Sequence, residues 1–153
     1  MFNYEMNHIC SYTATLNPEF EVIGPVAEGL RLNAYITGGE VTGPRLQGSI
    51  RPVGADWLLI RTDGVGVLDV RATIETHDGA LIHMYYSGVG DFGEDGYQNF
   101  LDGKHPNIIP LRTVPMLQTA HPDYQWVNRL QFVNIGEVNF EASMVSYDLY
   151  ALQ

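Results

Sequence analysis

Four residues of this chain have the types and the spacing to move a proton: Asp56, Asp69, Arg71 and Tyr86. A carboxylic acid takes or gives a proton when its surroundings tune its pKa. A guanidinium and a phenol together can hold the charge that develops on an enolate or phenolate oxygen. Such a set suits redox-neutral chemistry: isomerisation, dehydration, or ring closure by conjugate addition to an enone.

Two turns are what would bring these residues together. Asp63-Gly64 and Asp78-Gly79 each separate alternating apolar runs, a strong short-range hairpin signal. Taken as two-residue type I′ turns, they set Asp56 opposite Arg71, Leu58 opposite Asp69, Arg71 opposite Tyr86 and Thr73 opposite Met84. Directly opposed residues share a face of the sheet. Asp56, Arg71 and Tyr86 would then form one row across three strands, with Asp69 one step along. The same row also fits an ion pair on the outer face, since Leu68, Val70, Ala72 and Ile74 are uniformly apolar and could equally line the interior.

Composition narrows the function classes. The chain has 153 residues, enough for one domain with a substantial core (residues 1–153). A formal charge of −10, with only eight Lys plus Arg, argues against nucleic acid and anionic membrane surfaces as partners. A lone Cys10 excludes an intrachain disulfide framework or a zinc–thiolate cluster. The N-terminal residues show no basic segment followed by an apolar run, and no stretch approaches the length of a membrane span. A cytoplasmic location is the expectation, with a small molecule as partner and a homodimer as the default assembly.

Gly, Pro and Asn-rich turns recur at short intervals between runs of Val, Ile, Tyr, Leu and Thr. That pattern predicts an all-β fold, and closing the sheet removes its edges. The expectation is a closed or nearly closed antiparallel β-barrel, calycin-like, of roughly eight to ten strands, a size that can hold one small ligand. A long loop is expected at about 88–110, with a short helix near Gln98–Asp102. The pattern places strands at Tyr124–Asn134 and Val138–Leu152.

The order Thr37-Gly38-Gly39, Gly43-Pro44, Leu46-Gln47-Gly48, Pro52 and Gly54-Ala55-Asp56-Trp57 continues with Leu68-Asp69-Val70-Arg71 and Asp78-Gly79-Ala80-Leu81-Ile82. With Arg112-Thr113-Val114-Pro115 and Tyr124 to Arg129, it resembles the domain-of-unknown-function family 3237 from about Leu16 to Tyr150. The resemblance implies a small single-domain β-barrel, with some members in secondary metabolism or aromatic-compound breakdown. Small polyketide-like or phenolic substrates follow as an expectation.

Further residues would wall a ligand. Trp57, Met84, Arg112, Trp126, Asn128 and Tyr150 are the candidates, Trp126 and Asn128 sharing a face if their segment is a strand. For Trp126, core packing is the stronger of the two readings. No metal site is expected, for there is no His-x-His pair and His8 with Cys10 lacks a third ligand. No nucleophile elbow or phosphate loop is present, and no cofactor is expected. The leading expectation is a cofactor-independent lyase, isomerase or cyclase acting inside the barrel. The alternatives are a non-catalytic small-molecule-binding barrel and a structural domain.

Overall fold

The computed structural model describes all residues, Met1–Gln153. It contains ten strands: β1 (Met6–Leu16), β2 (Glu21–Val26), β3 (Gly29–Thr42), β4 (Gly48–Ile50), β5 (Ala55–Arg61), β6 (Val65–Thr76), β7 (Leu81–Asp91), β8 (Ile108–Gln118), β9 (Gln131–Asn139) and β10 (Met144–Leu152). One short helix, α1 (Gly96–Leu101), and a 3₁₀ helix over Pro122–Arg129 complete the chain. None of the helices is long and apolar enough to cross a membrane.

The strands close into an antiparallel barrel of eight positions. Neighbours run β1-β10-β9-β8-β7-β6 and on through β4 and β5 to β3, which returns to β1. Two positions are each filled by a broken strand. The two halves of β3 pair with β5 and β4 on one side, and with β2 and β1 on the other. Thus the breaks at Asn17–Phe20 and Arg51–Gly54 turn eight positions into ten strands. Closure leaves few free ladder groups, and β2, paired with β3 alone, is the residual edge.

Alternation decides the interior. In β6, Leu68, Val70, Ala72 and Ile74 are buried while Arg71 between them is exposed. In β7, Ile82, Met84 and Tyr86 point in. Together with Leu32, Ile60, Leu111, Phe132 and Leu149 they belong to one continuous core. Burial of such side chains contributes roughly 1.5–3 kcal/mol each before conformational entropy is subtracted.

The register differs from the sequence-based expectation by one residue at both turns. Asp56 pairs with Val70, Ala55 with Arg71, Val70 with Tyr86 and Arg71 with Tyr85. The cause is loop length. Thr62-Asp63-Gly64 and His77-Asp78-Gly79 are three-residue loops, with Gly64 N–H donating to Arg61 O at 3.0 Å and Gly79 N–H to Thr76 O at 2.9 Å. A type I′ turn needs positive φ at both central residues. Here only the glycines have it, at 85° and 89°, whereas neither aspartate does. The geometry is a type I turn followed by a left-handed glycine, the three-residue hairpin with a bulge. One residue of slip moves every side chain of a strand to the other face.

Two other expectations change. Pro122–Arg129 is a 3₁₀ helix, not the start of a strand. Pro122 opens it, the His121 side chain caps it by accepting from Asp123 N–H, and Tyr124 and Val127 bury at a three-residue spacing. Asn134-Ile135-Gly136 reads as a turn but lies inside β9. A Cβ on Gly136 would fall 2.0 Å from Ser146 O and 2.4 Å from Cδ1 of Tyr147, so this glycine makes room for the β10 backbone and an inward ring instead of bending the chain.

Gly64 and Gly79 share a conformation but differ in surroundings. A Cβ on Gly64 would meet Gly93 O at 1.8 Å, whereas one on Gly79 would meet nothing within 4 Å. Gly79→Ala should therefore cost about 1 kcal/mol, and Gly64→Ala roughly 3 kcal/mol. Urea unfolding of both variants checks this, and equal losses would contradict the packing argument.

Candidate active site

The register divides the expected row in two. Asp56 and Tyr86 face the lumen and line a cavity with Leu58, Leu68 and Val70. Asp69 and Arg71 lie outside, paired with each other at 3.0 Å and each about half exposed. There the Arg71 guanidinium sits 4.9 Å from the Tyr85 ring and 5.5 Å from the Trp57 ring. Arg71 and Asp69 form a surface ion pair flanked by aromatic rings, so no guanidinium faces Asp56. Exposed pairs of this kind contribute little to stability.

The expected walls scatter likewise. Met84 is buried in the core beside Ala72 and Leu117, away from the cavity lining. Trp57 is on the outer face, as is Tyr150, whose ring lies 5.4 Å from His8. Arg112 is exposed and donates to Leu111 O at 2.7 Å. The 3₁₀ helix takes Trp126 and Asn128 out of the sheet. Trp126 lies under Arg45 at 3.8 Å, and Asn128 clamps Thr119 through Thr119 N–H and Thr119 O. The His8 and Cys10 pair is also split, because a register shift between them leaves His8 exposed and buries Cys10. Burial pushes the Cys10 thiol up to about 12, which makes it a poor nucleophile. No three His, Cys, Asp or Glu side chains are grouped to hold a metal ion.

What the lumen does contain is a single carboxylic acid in an apolar chamber. Fifteen of the sixteen lining residues are hydrophobic, and the sixteenth is Asp56. Pairing of β5 with β6 is interrupted at Trp57–Leu58, and in that gap the Asp69 N–H donates to Asp56 Oδ1 at 3.0 Å. Desolvation is the dominant influence on Asp56, raising its pKa to about 7. The Asp69 N–H bond works against that rise, and the Asp69 charge adds to it. Asp56 is thereby poised to exchange protons near neutral pH.

Beside it is a cluster of phenols of which sequence reading named Tyr86 but missed Tyr12 and Tyr147 as its partners. Tyr86 and Tyr147 rings meet edge to face at 5.7 Å, and Tyr12 lies 5.3 Å from Tyr147. Asn134 Nδ2 donates to the Tyr12 hydroxyl at 2.7 Å and to Thr113 Oγ1 at 3.1 Å. Asn134 Oδ1 and the Tyr147 hydroxyl are buried without a partner. Burial raises the pKa of all three phenols, and the Asp56 charge raises that of Tyr86 further. They remain protonated donors. Tyr12 and Tyr147 sit opposite each other in β1 and β10, a pairing that no turn motif marks in the sequence.

A family model described as protein of unknown function (DUF3237) matches residues 4–152. The chain belongs to this family. A UPF0311 protein of Rhodopseudomonas palustris is 30% identical over 148 residues, covering 95% of each chain. A beta-barrel like protein from Acinetobacter baumannii is 26% identical, with a TM-score of 0.85 over 100% of this chain and 98% of that one. A Penicillium herquei protein described as an enzyme shares the fold at a TM-score of 0.65 and 18% identity, over 99% and 94% of the two chains. The expected family and barrel both stand. The family carries no assigned activity, so a chemical reading of this DUF3237 barrel rests on its own lumen.

The raised Asp56 pKa has a sign that stability measurements can read. An unfolded aspartate releases its proton near pH 3.9, the folded one near 7. Stability from this group is therefore full below about pH 4 and declines up to about pH 7 as the unfolded chain ionises first. Asp56→Asn keeps an oxygen for the Asp69 N–H and removes the charge. Its stability relative to the parent should rise between pH 5 and pH 8 in urea unfolding. A constant difference would contradict the assigned environment.

Proposed function

We propose that this barrel binds a small, neutral, largely apolar carbonyl compound, partly aromatic or polyketide-like, and moves a proton on it without a cofactor. Asp56 is the acid/base and the Tyr86 phenol donates to the carbonyl oxygen. The observation that carries this reading is the lone lumen carboxyl, with its pKa near 7, beside protonated phenols. The ionised Asp56 takes a proton from the carbon next to the carbonyl, or from a hydroxyl that then adds to an enone. Negative charge passes to the carbonyl oxygen, where Tyr86 holds it by hydrogen bonding. The protonated Asp56 returns the proton to carbon, or to a leaving hydroxyl in a dehydration. The three outcomes are isomerisation, cyclisation and elimination, and none needs an oxidant. The Penicillium herquei neighbour described as an enzyme supports catalysis on such a barrel.

A second reading is a binding barrel without turnover. It is favoured by the Asp69 N–H bond, which gives Asp56 a structural task in the β5–β6 gap.

Exchange of α-protons on aryl ketones and enones in D₂O, followed by NMR, separates these readings. Under the catalytic reading, Asp56→Asn lowers the exchange rate by at least about 100-fold. Tyr86→Phe lowers it by about 10-fold or more, and Arg71→Lys leaves it unchanged. The rate rises with pH to a plateau above about 7, because the base must be ionised. Exchange unchanged in Asp56→Asn would refute the assignment, and binding with no exchange by the parent protein would favour the second reading.

A further inference from the structure

We propose that the hollow outside Phe20 and Phe140 is the portal to the lumen and a second binding subsite, for a planar neutral ring of the ligand. The inference rests on the lumen being the binding site, whether or not turnover follows. Phe20 and Phe140 line both the inner cavity and this outer hollow. Their rings, edge to face at 6.2 Å, are thus the partition between the two.

The opposite end of the barrel offers no such partition. The 3₁₀ helix closes it, with Val127 1% exposed and the Tyr124 hydroxyl donating to Asp78 Oδ1 at 2.9 Å. Space makes the same point. The inner cavity, about 40 Å³ as it stands, holds a few waters. A typical ligand pocket is several hundred Å³. The outer hollow adds about 500 Å³ open to solvent. A ligand reaching Asp56 must therefore part the two phenylalanines and leave its remainder outside.

The backbone around Phe20 permits this movement. Phe20 stands in the break between β1 and β2, and β2 is held by β3 alone. Across from it, His105 stacks on Phe100 at 4.5 Å and tilts against Phe140 at 4.4 Å, so flat surfaces already meet there. The remaining rim groups include Asn107 and Glu141, and no Lys or Arg lines the hollow. An anionic ligand would find no counter-charge there or in the lumen, on a chain of net charge −10. A neutral aromatic or conjugated ring fits both chambers.

Stopped-flow and equilibrium fluorescence with 2-naphthol test the portal through binding alone. Phe20→Ala removes half of the partition and should raise the association rate about threefold or more. His105→Ala removes a stacking surface and should weaken the equilibrium affinity by about three- to tenfold. Arg71→Lys, on the outer face away from both chambers, should leave the association rate unchanged. Neither Phe20 nor His105 is fully buried, and thermal melts confirm that each variant folds. Unchanged association in Phe20→Ala together with unchanged affinity in His105→Ala would overturn the portal, as would absence of 2-naphthol binding by the parent protein. Loss of exchange chemistry in the parent, with these binding effects intact, would instead remove only the catalytic reading.

Discussion

Which side chains face the lumen depends on the length of two loops. Thr62-Asp63-Gly64 and His77-Asp78-Gly79 each hold three residues, because only their glycines take positive φ. With two residues in each, Asp56 would oppose Arg71 and share its face, so no carboxyl could stand in the lumen without a guanidinium beside it. With three, the guanidinium goes to the surface and a lone carboxyl remains in an apolar space. An aspartate beside an arginine titrates far below neutrality, whereas one enclosed by Leu58, Leu68 and Val70 titrates near it. One residue of backbone thus sets the electrostatics of the whole interior.

Enclosing Asp56 has consequences for structure as well as chemistry. Its oxygen satisfies an Asp69 N–H that the interrupted β5–β6 ladder leaves free, which is the usual condition for retaining a polar group inside. Ionisation in that setting is unfavourable, so the group gains proton affinity at some expense in stability near neutral pH. Poised groups at functional sites commonly show this tension. The buried Tyr147 hydroxyl and Asn134 Oδ1, both without partners, extend the pattern to the neighbouring phenols.

Much of the fold is legible in the sequence because alternation and turn residues are local signals. The hairpins at Asp63-Gly64 and Asp78-Gly79, a strand within Val138–Leu152 and the closed barrel all follow from them. The site is less legible. Asp-Gly is compatible with two loop lengths of opposite parity, so the pairing of Asp56 with Arg71 failed on a single residue. The apolar series Leu68, Val70, Ala72 and Ile74 carried the correct parity and outweighs a turn motif as a guide to the inner face. Trp126 and Asn128 lie outside the sheet because Pro122 and a three-residue burial spacing make a 3₁₀ helix where β-formers suggest a strand. Tyr12, Tyr147 and Asn134 come together only through β1–β10 closure, at a sequence separation of 122 between Tyr12 and Asn134. No local pattern encodes such a contact.

The most direct test of this account is the titration of Asp56 itself. In the protein carrying ¹³C-labelled aspartate, the Cγ resonance that Asp56→Asn deletes should titrate with a midpoint of about 7. A midpoint near 4, the value of an aspartate in water, would mean that the carboxyl is solvated or paired and would contradict the lumen as a site of proton transfer.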